Sequence, residues 1–255
     1  DKPPSERGFS NLDFRAIPEN WHHLKSGIRW VVELLKEEMI FDVDRLPSTV
    51  PLPVIAALGE WIPKHGDELG HVRKVLKTYL WRSFLTDRYD SSTSNNALQD
   101  YRKLRDWLEA GGKGMPKPNI FDDELYTLPA HEDFLRAPWP KKKATLSRAM
   151  LALQNRCAAY DIADGTPINA NNVKSREYHH LYPDSRLIDA GLEEQSFRAV
   201  NCALVTWKTN RKISAKEPIK YLKERIDSVD LAEDELKRRL RSHLIPWEEL
   251  NQGGY

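Results

Sequence analysis

Apolar positions recur at helical spacing through most of the first 110 residues. In GIRWVVELLKEEM (27–39), Ile28, Val31, Val32, Leu35 and Met39 fall on one stripe, as in an amphipathic helix. Pro47, Pro51 and Pro53 in LPSTVPLP end that element, because proline cannot continue a helix interior. VIAALGEWI (54–62) reads as a buried helix. GHVRKVLKTYLWRSFL (70–85) and NALQDYRKLRDWLEA (96–110) read as amphipathic helices split by the polar loop DRYDSSTSN, and Leu98, Tyr101, Leu104, Trp107 and Leu108 mark the buried side of the second.

GGKGMPKP (111–118) breaks this pattern. Its GGKG lacks the upstream glycine and the following Ser/Thr of a phosphate-binding loop, so it reads as connecting chain. The expected organisation is a helical domain over 1–115, a Pro-rich and charged linker over 116–143, and a second domain over 144–255. In the second domain, TLSRAMLALQNRCAA reads as a helix and DIADGTPI as a strand broken by the turn Asp164-Gly165. VKSREYHHLYP reads as a second strand that runs into a proline, and RLIDAG as a short helix or loop. VNCALVTWKTNRKIS leaves an extended stretch and enters a helix near Val205. EPIKYLKERI starts a helix with Pro218 in its first turn. LAEDELKRRLRSHL makes the last helix, with Asp230 as its cap and Glu233 three residues on.

Composition narrows the class. Hydrophobic content of 40%, with 8 Trp and 9 Tyr, suffices for a real core and argues against wholesale disorder. The net charge of +1 hides an asymmetry: acidic residues lead in 1–140 and basic residues in 141–255, which favours a phosphate-attracting surface in the second part. Cys157 and Cys202 form no CxxC pair, which excludes a zinc knuckle and suits reduced thiols in the cytoplasm. No apolar run reaches membrane-spanning length, so no membrane partner is expected. The opening DKPPSER in place of Met suggests a fragment or a processed product.

The chemistry concentrates around REYHHLYPDS (176–185). Two strands, an intervening loop and a helix make a ββα layout, in which a strand histidine and a helix asparagine can face one cation. Asn201 and Asn210 stand nine residues apart across the junction from extended chain to helix. Phosphodiester hydrolysis needs a base for water, a divalent cation at the phosphate and an orienter for the base. The plainer readings are a histidine pair half buried and half solvent-facing, a turn or cap role for Asn201, and a solvated basic face at Arg211-Lys212. Cys202 and Trp207 read as core. The same dipeptide in WHHL (21–24) lacks any partner at useful spacing, so His22 and His23 read as cap, surface or packing residues.

The stretch EYHHLYP…VNCALVTWKTNRKISAKEPIKYL resembles the HNH (His-Me finger) nuclease core. More narrowly, it is similar to the C-terminal version in GmrSD-type restriction proteins, related to the phosphorothioate-sensing SspE proteins. It shares the second histidine, the proline three residues on, the Asn-to-Asn spacing, Arg211-Lys212, Pro218 and Tyr221-Leu222. ELLKEEMIFDVDRLPSTVPLPVIAAL and FLTDRYDSSTSNNALQDYRKL resemble the helical region that precedes this core. The resemblance implies a mainly α fold with a small ββα-metal core. It implies His180 as general base, Asn201 as the hydrogen-bonding support of the His180 imidazole, and His179 and Asn210 as ligands of Mg2+ or Mn2+. It also implies Arg211, Lys212, Lys208, Arg176 and Lys174 as contacts to DNA phosphates. A histidine at 179, where Asp is frequent, gives the cation less negative charge.

The expected function is therefore a metal-dependent endonuclease that nicks double-stranded DNA. It would be the effector part of an anti-phage restriction protein whose nucleotide-hydrolysing sensor domain lies outside this chain. The alternative is an inactive DNA-binding or protein-interaction module on a degenerate HNH fold.

Overall fold

The computed structural model describes Gly8, residues 10–141 and residues 144–252. Of the expected elements, the opening stretch 1–7, linker positions 142 and 143 and the terminal 253–255 lie outside the described residues. The described chain is mainly α-helical with one two-stranded sheet. It divides into two compact units: residues up to Glu37 together with Ser48–Pro129, and Glu38–Pro47 together with Ala130 onward.

The first unit holds α1 (Ala16–Glu19), α2 (Trp21–Glu37), α3 (Pro51–Ala57), α4 (Gly66–Leu85) and α5 (Thr93–Glu109). The prolines that should only stop α2 also start α3, since Pro51 lies in the first turn, where a missing amide hydrogen costs nothing. The buried line of α2 is Gly27, Val31 and Leu34. Ile28, expected inside, is 50% exposed, and Val32 is exposed too. The shift follows from close backbone approach: a Cβ at Gly27 would lie 2.0 Å from the Ala56 carbonyl oxygen of α3. The helix therefore seats on its glycine.

Residues 116–129, expected as linker, belong to this unit. Ile120 is buried, and Arg82 of α4 holds the segment through the Ile120 carbonyl, the Asp123 carboxylate (2.7 Å) and the Tyr126 carbonyl (2.6 Å). Asp100, on the inner side of α5, pairs with buried Arg88 at 2.9 Å and accepts from the Tyr89 hydroxyl at 2.7 Å.

The second unit begins with α6 (His131–Arg136) and α7 (Thr145–Arg156). Strands β1 (Arg176–His180) and β2 (Cys202–Thr206) pair antiparallel, with His179 opposite Ala203 and His180 opposite Cys202. Their connection carries α8 (Asp184–Asp189) and α9 (Glu193–Ser196). Helices α10 (Trp207–Ile213), α11 (Pro218–Val229), α12 (Glu233–Ser242) and α13 (Trp247–Asn251) follow. Strand alternation gives the hairpin a core on each face. Ala203 and Val205 pack with Ile213, Tyr221, Leu222 and Leu236; Cys202 and Leu204 pack with Trp139, Leu151, Ile168 and Val173.

Four local expectations are corrected. DIADGTPI is not a strand: apart from a single bridge between Tyr160 and Pro167, it is a turn wound on the Asp161 carboxylate, which accepts from the Ala163 and Asp164 amides at 2.9 Å each. Helix α10 starts at Trp207 rather than Val205, because the Thr206 hydroxyl accepts from the Thr209 amide at 3.1 Å and caps it there. Trp207 is consequently 55% exposed instead of core. Asp230 does not cap α12, which is not the last helix, since α13 follows it; Asp230 sits at φ 50° and closes the C-terminus of α11, its amide donating to the Ile226 carbonyl.

Asp161 ties these pieces together. Its carboxylate, fully buried, also accepts from the Thr206 amide (2.6 Å) and the Thr209 hydroxyl (2.8 Å), and it pairs with buried Arg176 at 3.4 Å. Asp161→Ala leaves Arg176 as an uncompensated buried cation, so it should cost about 3–5 kcal/mol in urea unfolding. Asp161→Ala combined with Arg176→Met should cost less than the single change. A double variant as destabilised as the sum of the two singles would contradict this.

Candidate functional site

On β1, residues 177 and 179 share the face that meets α10. The Asn210 side chain of α10 lies between them: its Nδ2 donates to Glu177 Oε2 at 2.6 Å, and its Oδ1 faces His179 Nδ1 at 2.8 Å. A carboxylate only accepts, so it fixes which end of the amide faces it. Oδ1 is then the acceptor toward His179, and Nδ1 must carry the imidazole proton. The lone pair is left on Nε2, which is buried and has no hydrogen-bond partner. The ring is 4% exposed, and burial pulls its pKa below the ordinary imidazole value, opposed by the hydrogen bond to Asn210. His179 is thus held neutral, in one tautomer, with an unused nitrogen.

His180 lies on the other face. Its ring stacks on Trp139 (centroids 4.1 Å, planes 15° apart) and meets Phe197 edge-on at 5.1 Å. Burial lowers its pKa as well, opposed by Asp184, and its Nε2 is also shielded and unpartnered. The two adjacent histidines are both neutral at pH 7, but they point into different surroundings.

The expected bond from Asn201 to His180 is not among those Asn201 makes. Asn201, 1% exposed, accepts from the Tyr182 amide at 2.7 Å and donates to the Tyr182 carbonyl (3.0 Å) and the Ser196 carbonyl (3.1 Å). With the Leu181 amide on the Asn201 carbonyl at 2.8 Å, this residue closes the base of the loop between β1 and β2. It shapes the chain just after His180 rather than the imidazole itself.

The expected phosphate contacts divide. Lys174, Lys208, Arg211 and Lys212 are exposed, and Arg211 lies over the Trp207 ring at 4.3 Å, giving α10 a basic face with an aromatic surface. Arg176 is not part of it. It is buried against Asp161, because its position on β1 turns it inward. In the first unit, His22 and His23 are exposed at the start of α2, with His23 Nδ1 3.7 Å from Glu60.

Two residues of the site were missed from sequence. Glu177 could have been found from its spacing, since i and i+2 on a strand share a face. Asp161 carried no such signal, as its partners outside its own turn lie 15 to 48 residues away. Among the described residues, no group of three or more His, Cys, Asp or Glu side chains could hold a metal ion. The donors present are the orphaned Nε2 of His179, the Asn210 amide oxygen and the Glu177 carboxylate. A nitrogen and oxygen set suits a divalent cation such as Mn2+, but here both oxygen groups sit on the Nδ1 side of the ring and bond to it or to each other, so of these donors Nε2 alone is free to ligate.

No protein-family model matches the chain. It is similar to the uncharacterized protein MJ0686 of Methanocaldococcus jannaschii, at 27% identity over 203 residues, which covers 76% of this chain and 33% of that protein. The chain thus spans about a third of that relative's length. No helix among the described residues is long and apolar enough to cross a membrane.

Asn201→Ala removes three side-chain hydrogen bonds at the loop base and should cost about 2–4 kcal/mol in urea unfolding. Amide hydrogen exchange should quicken at Leu181 and Tyr182 before it does in α12. Unchanged protection at those two amides would contradict the clamp.

Proposed function

We propose that the second unit is an HNH-type nuclease domain that hydrolyses phosphodiester bonds in double-stranded DNA with a divalent cation. The observation that carries this reading is the chain Glu177–Asn210–His179, which crosses from a hairpin strand to the following helix and leaves an imidazole lone pair unused. A metal-ligating histidine characteristically donates its other ring N–H to an oxygen, as His179 does here. His179 would hold the cation through Nε2, with Asn210 and Glu177 orienting the ring from its Nδ1 side rather than ligating the cation directly. When bound, the cation supplies charge stabilisation at the phosphate and acidifies water.

The chain's own residues do the rest. His180, neutral at pH 7, takes a proton from the attacking water; the water oxygen bonds to phosphorus, the P–O bond to the leaving strand end breaks, and the leaving oxygen takes a proton from solvent. Trp139 and Phe197 hold the His180 ring in place. Asn201 holds the loop that follows it. Lys174, Lys208, Arg211 and Lys212 neutralise backbone phosphates without reading sequence. One such site per chain cuts one strand at a time, so the expected product is a nick. A role as restriction effector, with a nucleotide-hydrolysing sensor elsewhere in the protein, rests on the family resemblance.

A second reading, a non-catalytic module on the same fold, is favoured by the closure of the site. His179 and Asn210 satisfy each other, and both Nε2 atoms are shielded.

Nicking of supercoiled plasmid separates the two. With Mn2+ or Mg2+ the wild type should convert closed to open circles, and EDTA should stop it. His180→Ala should slow nicking by about 100-fold or more while binding of duplex DNA in EDTA persists. A His180→Ala variant that nicks at the wild-type rate would overturn the placement of the base. A wild type that binds but never nicks would establish the second reading.

A further inference from the structure

A cavity of about 160 Å³ lies beside this site and is lined by Lys212 and Ile213 of α10, Lys216 of the following turn, and Tyr221, Glu224 and Arg225 of α11. Three cationic side chains face one carboxylate there. Glu224 is engaged by the Lys216 ammonium. That leaves Lys212, on the exposed side, and Arg225, half-buried and anchored through Nε to the Ala163 carbonyl at 2.7 Å.

Tyr221 makes the cavity more than a basic patch. It is 5% exposed, lines the cavity, and its hydroxyl is buried without a hydrogen-bond partner. A shielded hydroxyl left unsatisfied costs about 1–3 kcal/mol. A phenol is protonated at neutral pH and can donate. A phenol donor, an anchored guanidinium and a lysine call for a compact anion with several acceptor oxygens. The space admits several water-sized groups, enough for a phosphate group. The Tyr221 ring also lies 6.3 Å from the His179 ring, tilted by 71°.

We propose that Tyr221, Arg225 and Lys212 form a phosphate-binding pocket that takes a backbone phosphate of nucleic acid adjacent to the one at His179. The identity of the ligand as nucleic acid rests on the nuclease reading; the pocket's chemistry for phosphate does not.

The test uses the full chain in EDTA with two probes, inorganic phosphate and a short fluorescent DNA duplex. Phosphate is followed through the arginine Nε–H NMR signals and the duplex by anisotropy across a salt series. Inorganic phosphate should shift the Arg225 signal. Arg225→Gln should weaken duplex binding about 10-fold and lower the salt slope by about one. Tyr221→Phe, which keeps the ring and removes only the donor, should weaken it about 3-fold to 10-fold with no change in slope. Urea midpoints show that both variants are folded.

If neither variant alters the response to either probe, the proposal is overturned and the nuclease reading stands on its nicking test. If the variants lose inorganic phosphate but bind duplex like the wild type, the backbone assignment is overturned in favour of a free phosphate or phosphate monoester. If the wild type ignores duplex altogether, the nuclease reading fails, and the phosphate titration alone decides the pocket.

Discussion

Asp161 is a carboxylate with no access to water that accepts from two amides of its own turn, from the amide and hydroxyl that open α10, and from the Arg176 guanidinium at the start of β1. Burying a carboxylate costs several kcal/mol unless it is well bonded. Four of its five contacts are 2.9 Å or shorter, and hydrogen bonds to a charged group contribute about 1.5–3 kcal/mol each, so attraction outweighs desolvation. The geometric effect is as important as the energy. One side chain locks the turn before the hairpin, the first residue of β1 and the junction of β2 with α10 into a single frame.

That frame determines what α10 can offer to β1. With Thr206 fixed as cap, Asn210 falls one turn into the helix and opposite positions 177 and 179 of the strand. The Glu177 carboxylate then orients the amide, and the amide orients the imidazole. Charge, tautomer and free lone pair of His179 are thus consequences of a buried ion pair on the far side of the junction. On the opposite face, Trp139 and Phe197 constrain His180 by packing alone. One dipeptide therefore presents two neutral imidazoles held by different physics, one by a polar chain and one by aromatic stacking.

Much of this was readable from the chain, and the gaps have physical reasons. Period-3.6 patterning located the long helices α2, α4 and α5, though it mis-phased α2, since the seat of that helix is a glycine whose lack of a side chain gives no hydrophobic signal. Pairing His179 with Asn210 was legible because strand and helix positions are local properties of sequence. The role of Asn201 was not, because its partners are main-chain groups of Tyr182 and Ser196, which no pattern of side chains advertises. Arg176 looked like a phosphate contact because its burial depends on Asp161, a residue inside what read as a strand. Trp207 looked like core because the helix start was placed two residues early. Errors of this kind arise where a buried polar group overrides hydrophobic periodicity.

The central claim, that Glu177 and Asn210 hold His179 in a single neutral tautomer with Nε2 unprotonated, is open to direct measurement. Long-range 1H–15N correlation spectra of the histidine rings at neutral pH, without added metal, report which nitrogen carries the proton. Nδ1 of His179 should be protonated and Nε2 pyridine-like, with the pattern becoming a tautomeric mixture in Glu177→Gln. A protonated Nε2, or a charged His179 ring at neutral pH, would contradict it.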